Sequence, residues 1–385
     1  MIDEARRLAP RFAARAARHD ADGSFPADDF ADLRSAGLFG LMVPERLGGA
    51  GAGFAEYAAV AYELARGNGA TALIFNMHAS VTGALSAVTD ELADALGLPP
   101  EAIEARDGFL KAAANGSWYA VAMSERGAGS RLSQLSTTYT AVAEGGYRIE
   151  GAKTFCSGAG HADGYLIAAR SATDPSQVSQ FLVPPGPGLR VVETWDALGM
   201  RATSSHDLHV EVTVPAGALL GGVEGLALVV AQLAPHWMVA SYAAVYVGVA
   251  RAAVDAAVEH VNSRKLGHLP AVRARIGRAD AAVAAAHLTV MEAARRVDEA
   301  PGDAETNRWV WRAKLLAGTT AAEVAASMLE AAGTSAMRRG HLLERLYRDA
   351  RAGSLQPATS DVCADWLGVD AIGGDPDSDG SAPRW

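Results

Sequence analysis

The chain has 385 residues, half of them hydrophobic, and a formal net charge of −10. That is enough apolar material for a large core in two or three structural units, and an acidic chain without a basic cluster excludes a nucleic-acid binder. Two cysteines, Cys156 and Cys363, with no CxxC pair, exclude a disulfide framework, and no metal centre is expected.

The first stretch, to about residue 115, reads as helical, with apolar positions at helical spacing in LRSAGLFGLMV, FAEYAAVAYELA and ALIFNMHASVTGAL. The charged N-terminus lacks the apolar run of a signal peptide. From Trp118 the period changes. YTAVAEGGYRIEG alternates around Gly145-Gly146 as a β-hairpin does, and YLIAAR, SQFLVP, LRVVETW and HDLHVEVTVP read as further strands. From Glu224 the helical period returns in several long segments. The apolar region from Leu226 to Val249 is broken by Gln232, Pro235, His236 and Ser241, so it reads as a buried helix and not a membrane span. The expected fold is α+β and mainly helical: a helical domain over 1–117, an antiparallel β-domain over 118–222, a four-helix bundle over 223–368 and a flexible tail over 369–385. A cytoplasmic protein with no membrane partner is expected.

Short motifs punctuate this plan: Val43-Pro44-Glu45 and Leu47-Gly48-Gly49, then Ala122-Met123-Ser124-Glu125-Arg126-Gly127-Ala128-Gly129-Ser130. Gly151-Ala152-Lys153-Thr154-Phe155-Cys156-Ser157-Gly158 follows, then Leu198-Gly199-Met200-Arg201-Ala202-Thr203 and Arg348-Asp349-Ala350. In order and spacing this set resembles the acyl-CoA dehydrogenase family over roughly residues 20 to 365. The resemblance implies a flavin cofactor, FAD first and FMN as the alternative, and assembly through the bundle as a tetramer or dimer. It also implies a partner that exchanges electrons, either an electron-transfer flavoprotein or a flavin reductase.

By the same resemblance, Val121, Met123 and Ser124 line the pyrimidine end of the flavin, Gly129 and Ser130 reach the pyrophosphate side, and Phe155 and Ser157 flank the isoalloxazine. Arg264 reaches towards a neighbouring subunit's cofactor. Gly333-Thr334 matches a glycine-rich turn contacting that cofactor, and Thr359 stands near the ring. The residue types agree with this: hydroxyls and strand backbone groups pair with a polar ring edge, and glycines let the chain approach a cofactor closely. Glu330, preceding the turn, would repel a diphosphate unless it faced away.

The family's usual reaction removes an α-proton from an acyl thioester with a carboxylate while the β-hydride goes to flavin. Pro357 stands where that carboxylate is expected, no acidic residue lies between Asp349 and Asp361, and none lies between Glu224 and Asp255. If the reaction is desaturation of an acyl thioester, the first expectation, the base is sought among His78, His236 and Asp361. For His78 and His236 the plainer alternative is a packed histidine. If the chain is instead a two-component monooxygenase using reduced flavin and O2 on a hydrophobic substrate, no such base is needed and Ser157 is the central polar group. A non-catalytic flavoprotein or interaction module is the third alternative.

Overall fold

The computed structural model describes residues 1–143 and 145–376. Helix α1 (Ile2–Asp22) buries the stripe Ala5, Leu8, Phe12 and Ala16 against α3 and ends at Gly23, whose φ of 66° forms a left-handed cap. α2 (Ala27–Ser35), α3 (Phe54–Gly67), α4 (Gly69–Ala87), α5 (Asp90–Ala95) and α6 (Pro100–Ala114) complete the first helical stretch. α4 is buried almost all round, which is why its sequence shows little polar face.

Among the described residues seven strands follow: β1 (Tyr119–Ala122), β2 (Thr138–Ala141), β3 (Tyr147–Cys156), β4 (Gly164–Ser171), β5 (Val178–Val183), β6 (Leu189–Val192) and β7 (His206–Val214). They form one sheet in the order β1-β4-β2-β3-β7-β6, with β5 also paired to β4. The hairpin expected around Gly145-Gly146 is β2–β3, with Ala141 opposite Tyr147. One expectation is corrected. The sheet is mixed, because β1 and the start of β2 both run parallel to β4. Alternation in sequence reveals a strand's faces but not which strand it meets.

The last stretch is helical: α7 (Leu226–Leu233), α8 (Ala240–Ser263), α9 (Pro270–Glu299), α10 (Ala304–Ala332), α11 (Leu342–Ala350), α12 (Ala352–Leu355) and α13 (Ser360–Ala371). α8 is the central helix, packed against α3, α9 and α10. Pro235–Ser263 is long and apolar enough to cross a membrane by length and composition, and, as the buried-helix reading expects, 72% of its most apolar window is buried inside the fold. The bundle also caps the first domain: Asp298 on α9 accepts the N–H groups of Phe54 and Ala55 at 2.6 and 2.9 Å, at the start of α3. The expected tail over 369–385 is shorter at its start, since residues 369–371 close α13. Residues 377–385 lie outside the described residues.

Candidate active site

The site is built on a bulge. The pairing of β3 with β7 shifts between Lys153 and Cys156, and Phe155 takes a φ of 56°. The bulge turns the Phe155 ring outward, where it is 61% exposed and lies T-shaped to Trp195, at 6.1 Å between centroids. A phenylalanine held in left-handed backbone and presented to solvent is unfavourable on both counts, a pattern found where a ligand is to be met. Thr154 fixes the bulge from both sides. Its N–H donates to the Ser124 carbonyl at 2.9 Å, and its hydroxyl donates to Asp207 at 2.7 Å. Arg126 donates to the other Asp207 oxygen at 2.7 Å.

Beneath the bulge, Lys153 and Glu125 form a buried ion pair at 2.8 Å. Glu125 also accepts the Ser136 and Thr137 N–H groups at 2.6 and 3.0 Å. Burial works to raise the Glu125 carboxyl, but Lys153 and those donors outweigh it and hold it at about 2. The pair ties the Met123–Ser130 loop to β3. Val121, Met123, Ser124 and Ser130 are half-buried, and the Ser124 carbonyl meets the bulge at Thr154. Gly129, exposed at a φ of 63°, closes a two-bond bridge with Glu125. Sequence reasoning quoted Glu125 and Lys153 within their motifs but gave them no role.

Ser157 is the outer end of a buried row of hydroxyls. Its Oγ lies 2.9 Å from that of Ser205, which lies 2.7 Å from Thr203 Oγ1, which donates to the Met200 carbonyl at 2.9 Å. Backbone bonds from Gly158 to Thr203 and from Ala159 to Ser204 zip the two segments together. Met200 and Ser204 are both left-handed, with φ of 52° and 45°. Sequence reasoning quoted Thr203 within its motif without a role and missed Ser205; the run Thr203-Ser204-Ser205 was the available signal.

The segment on which Ser157 leans is pinned by the bundle. Asp349 accepts the Met200 N–H at 2.6 Å. Arg348 bridges the Leu198 carbonyl at 3.0 Å and both oxygens of Asp20 at 2.9 and 2.6 Å. Gly199 is required here, because a Cβ would stand 2.2 Å from the Arg348 carbonyl oxygen. The two motifs Leu198–Thr203 and Arg348–Ala350 are thus one joint between sheet, bundle and α1.

The segment where a carboxylate was sought, Gly353–Thr359, is held from below by Lys314. The ammonium, fully buried on α10, donates to the carbonyls of Gly353, Gln356 and Ala358 at 2.9, 3.1 and 2.8 Å. Burial lowers this lysine to about 8, so it remains charged at neutral pH. Gln356 accepts from the Tyr246 hydroxyl at 2.7 Å.

Among the alternative bases, His78 is corrected. Its Nε2 donates to the Phe39 carbonyl at 2.7 Å and its Nδ1 accepts the Tyr119 N–H at 3.1 Å. At 1% exposure it is a neutral strut between the first domain and β1, pushed by burial to about 4. His236 is buried against Phe54 and Trp237 and pushed by burial to about 4, and its Nδ1 has no hydrogen-bond partner among the described residues. Asp361 is exposed in the first turn of α13, a position that serves the helix N-terminus. The Thr359 hydroxyl caps that helix by accepting the Val362 N–H at 3.3 Å.

A second group lies at the other end of α8. Arg264, exposed at its C-terminus, follows His260, which meets Ser335 and His341 at 3.5 and 3.4 Å. Gly333 and Thr334 are exposed in the adjoining turn. The charge expected to trouble this turn is neutralised, since Glu330 pairs with Arg275 at 2.6 Å.

The first group suits a flat cofactor: an exposed aromatic face, a half-buried rim at Val121, Met123 and Ser124, the open glycine Gly129 and an inward-tied hydroxyl at Ser157. FAD and FMN share the ring this arrangement fits. The acyl-CoA dehydrogenase N-terminal, middle and C-terminal domain models match residues 1–102, 120–212 and 224–364. The putative acyl-CoA dehydrogenase YdbM of Bacillus subtilis is 28% identical over 376 residues, covering 95% of each chain. L-evernosamine nitrososynthase of a Micromonospora species is 30% identical over 400 residues, covering 98% of this chain and 91% of that one. FMN-bound TdsC, a dibenzothiophene monooxygenase from Paenibacillus sp. A11-2, superimposes with a TM-score of 0.85 at 25% identity over 96% of each chain. The chain belongs to the acyl-CoA dehydrogenase family of flavoenzymes.

Proposed function

We propose that this flavoenzyme is an oxygen-using member of its family, which takes up reduced flavin and inserts oxygen into a small, largely apolar substrate. The observation that carries this reading is Lys314 under Gly353–Ala358. A buried cation holds that loop with Gln356 and Pro357 at its tip, so the place where desaturation needs a carboxylate offers an amide and a proline. Both ring nitrogens of His78 are tied to backbone groups, so it offers no free nitrogen to an α-proton. The nitrososynthase and the monooxygenase among the similar proteins support the same reading.

Phe155 would stack on the ring, Met123 and Ser124 would hold its edge, and Ser157 would stand beside its reactive nitrogen. Reduced flavin, when bound, supplies the two electrons that send one oxygen atom of O2 to substrate and the other to water. The chain's own part is to orient the ring, exclude water with the apolar faces of α4 and α8, and hold the Ser157 hydrogen in place. A flavin reductase is the partner this reading requires. A homo-oligomer would present Arg264, Gly333 and Thr334 to a neighbour's cofactor.

The test is to load the protein with chemically reduced FMN or FAD and mix it with isotopically heavy O2 and a panel of sulfides, amines and indoles. Heavy oxygen in a product is expected. Reoxidation across the whole panel with peroxide as the sole product would contradict the reading.

A further inference from the structure

Three hydroxyls and one carbonyl stand in a row: Ser157, Ser205, Thr203 and the Met200 oxygen, separated by 2.9, 2.7 and 2.9 Å. All three side chains are buried, with exposures of 7%, 5% and 0%. Each hydroxyl carries one hydrogen, and the carbonyl carries none. The three contacts are all hydrogen bonds in one arrangement only. Thr203 gives its hydrogen to Met200, Ser205 gives its own to Thr203, and Ser157 gives its own to Ser205. Any other arrangement leaves a buried contact without a hydrogen. The Met200 carbonyl is itself held by the Trp195 indole N–H at 3.1 Å, and the Met200 N–H by Asp349.

We propose that Ser205 and Thr203 are positioning residues that commit the Ser157 hydrogen inward, so that Ser157 meets the flavin only as an acceptor and the protein binds reduced flavin more tightly than oxidised flavin. This rests on the reading of Ser157 as a neighbour of flavin N5. Reduced flavin carries a hydrogen on N5, which an acceptor oxygen receives. Oxidised flavin has a lone pair there, and a hydroxyl whose hydrogen points away offers it nothing. The difference is one hydrogen bond, roughly three- to tenfold in affinity. A tenfold ratio is equivalent to raising the bound flavin's two-electron potential by about 30 mV. The row therefore selects the redox state that a reductase delivers.

The experiment measures Kd for oxidised FMN, and anaerobically for dithionite-reduced FMN, on the full chain, Ser205→Ala, Thr203→Val and Ser157→Ala, with thermal melts to establish folding. The wild type is expected to favour reduced FMN roughly three- to tenfold. Ser205→Ala and Thr203→Val both free the Ser157 hydrogen to turn outward, so both should bring the ratio towards one, chiefly by tightening oxidised FMN. Ser157→Ala should bring it towards one by weakening reduced FMN. A general loosening of the site would lower both affinities and leave the ratio alone. A wild type that favours oxidised FMN, or two relay variants with the wild-type ratio, overturns the proposal. If Ser157→Ala leaves both affinities unchanged, Ser157 is not beside the ring, and the underlying reading fails as well.

Discussion

Asp349 accepts the backbone N–H of Met200 at 2.6 Å, and through Met200 a carboxylate on the bundle reaches the hydroxyl row that ends at Ser157. The carboxylate is fully enclosed. Burial, only partly offset by Arg345 and the Met200 bond, raises it to about 6. The bond therefore joins two domains through a group that titrates just below neutrality.

Asp349→Ala should destabilise the fold by about 1–3 kcal/mol, because a buried N–H loses its acceptor. Asp349→Asn keeps an acceptor without the charge. A carboxyl raised in the folded state contributes stability that is present below pH 3.8 and is lost as pH rises through about 6. Between pH 5 and 7 the wild-type melting temperature should therefore lose a contribution that Asp349→Asn does not have. Melting curves across that range check both points. Parallel curves for the two proteins would remove Asp349 as the titrating group.

Lys153→Met leaves the Glu125 carboxylate buried without its cation, an unpaired charge that costs about 3–5 kcal/mol. Urea unfolding should show that loss, and flavin uptake should fall because the Met123–Ser130 loop is released. With Glu125 held at about 2, the pair's contribution is present above pH 4.5 and is lost only as pH falls through about 2.

Phe155→Gly should separate stability from binding. Glycine accepts a φ of 56° without strain, which offsets its own entropy cost, so the apo-protein should be unchanged or up to about 1 kcal/mol more stable. Flavin affinity should fall with the loss of the aromatic face. Paired melting and flavin-binding titrations give the two signs, and equal affinity would take Phe155 out of the site.

His78→Ala removes bonds to Phe39 and Tyr119 and leaves both backbone groups buried, which should cost about 2–4 kcal/mol. Because burial lowers the wild-type imidazole to about 4, its contribution is present above pH 6.5 and is lost as pH falls through about 4. Flavin reoxidation rates should consequently show no ionisation near pH 6.5 that His78→Ala abolishes.

Periodicity made the alternation of helical, β and helical stretches legible, because helix stripes and strand faces are local patterns. Phe155 and Ser157 stood out because their motif is contiguous. The parallel pairing of β1 with β4 was hidden, since it joins segments separated by about forty residues. The contacts of Lys314 with Gly353 and Ala358 and of Ser157 with Ser205 were hidden for the same reason: each joins groups 39 to 48 positions apart in the chain. His78 misled because a histidine on an apolar helix looks the same in sequence whether its nitrogens are free or bonded to backbone.

The most direct test of the central claim is anaerobic titration of the oxidised-flavin protein with acyl-CoAs of short, medium and aromatic acyl chains, followed at the flavin absorbance band. With Pro357 and Gln356 over Lys314, and both ring nitrogens of His78 bonded to backbone groups, the account predicts that the band stays oxidised throughout. Bleaching by any of these thioesters, with formation of its α,β-unsaturated product, would contradict it.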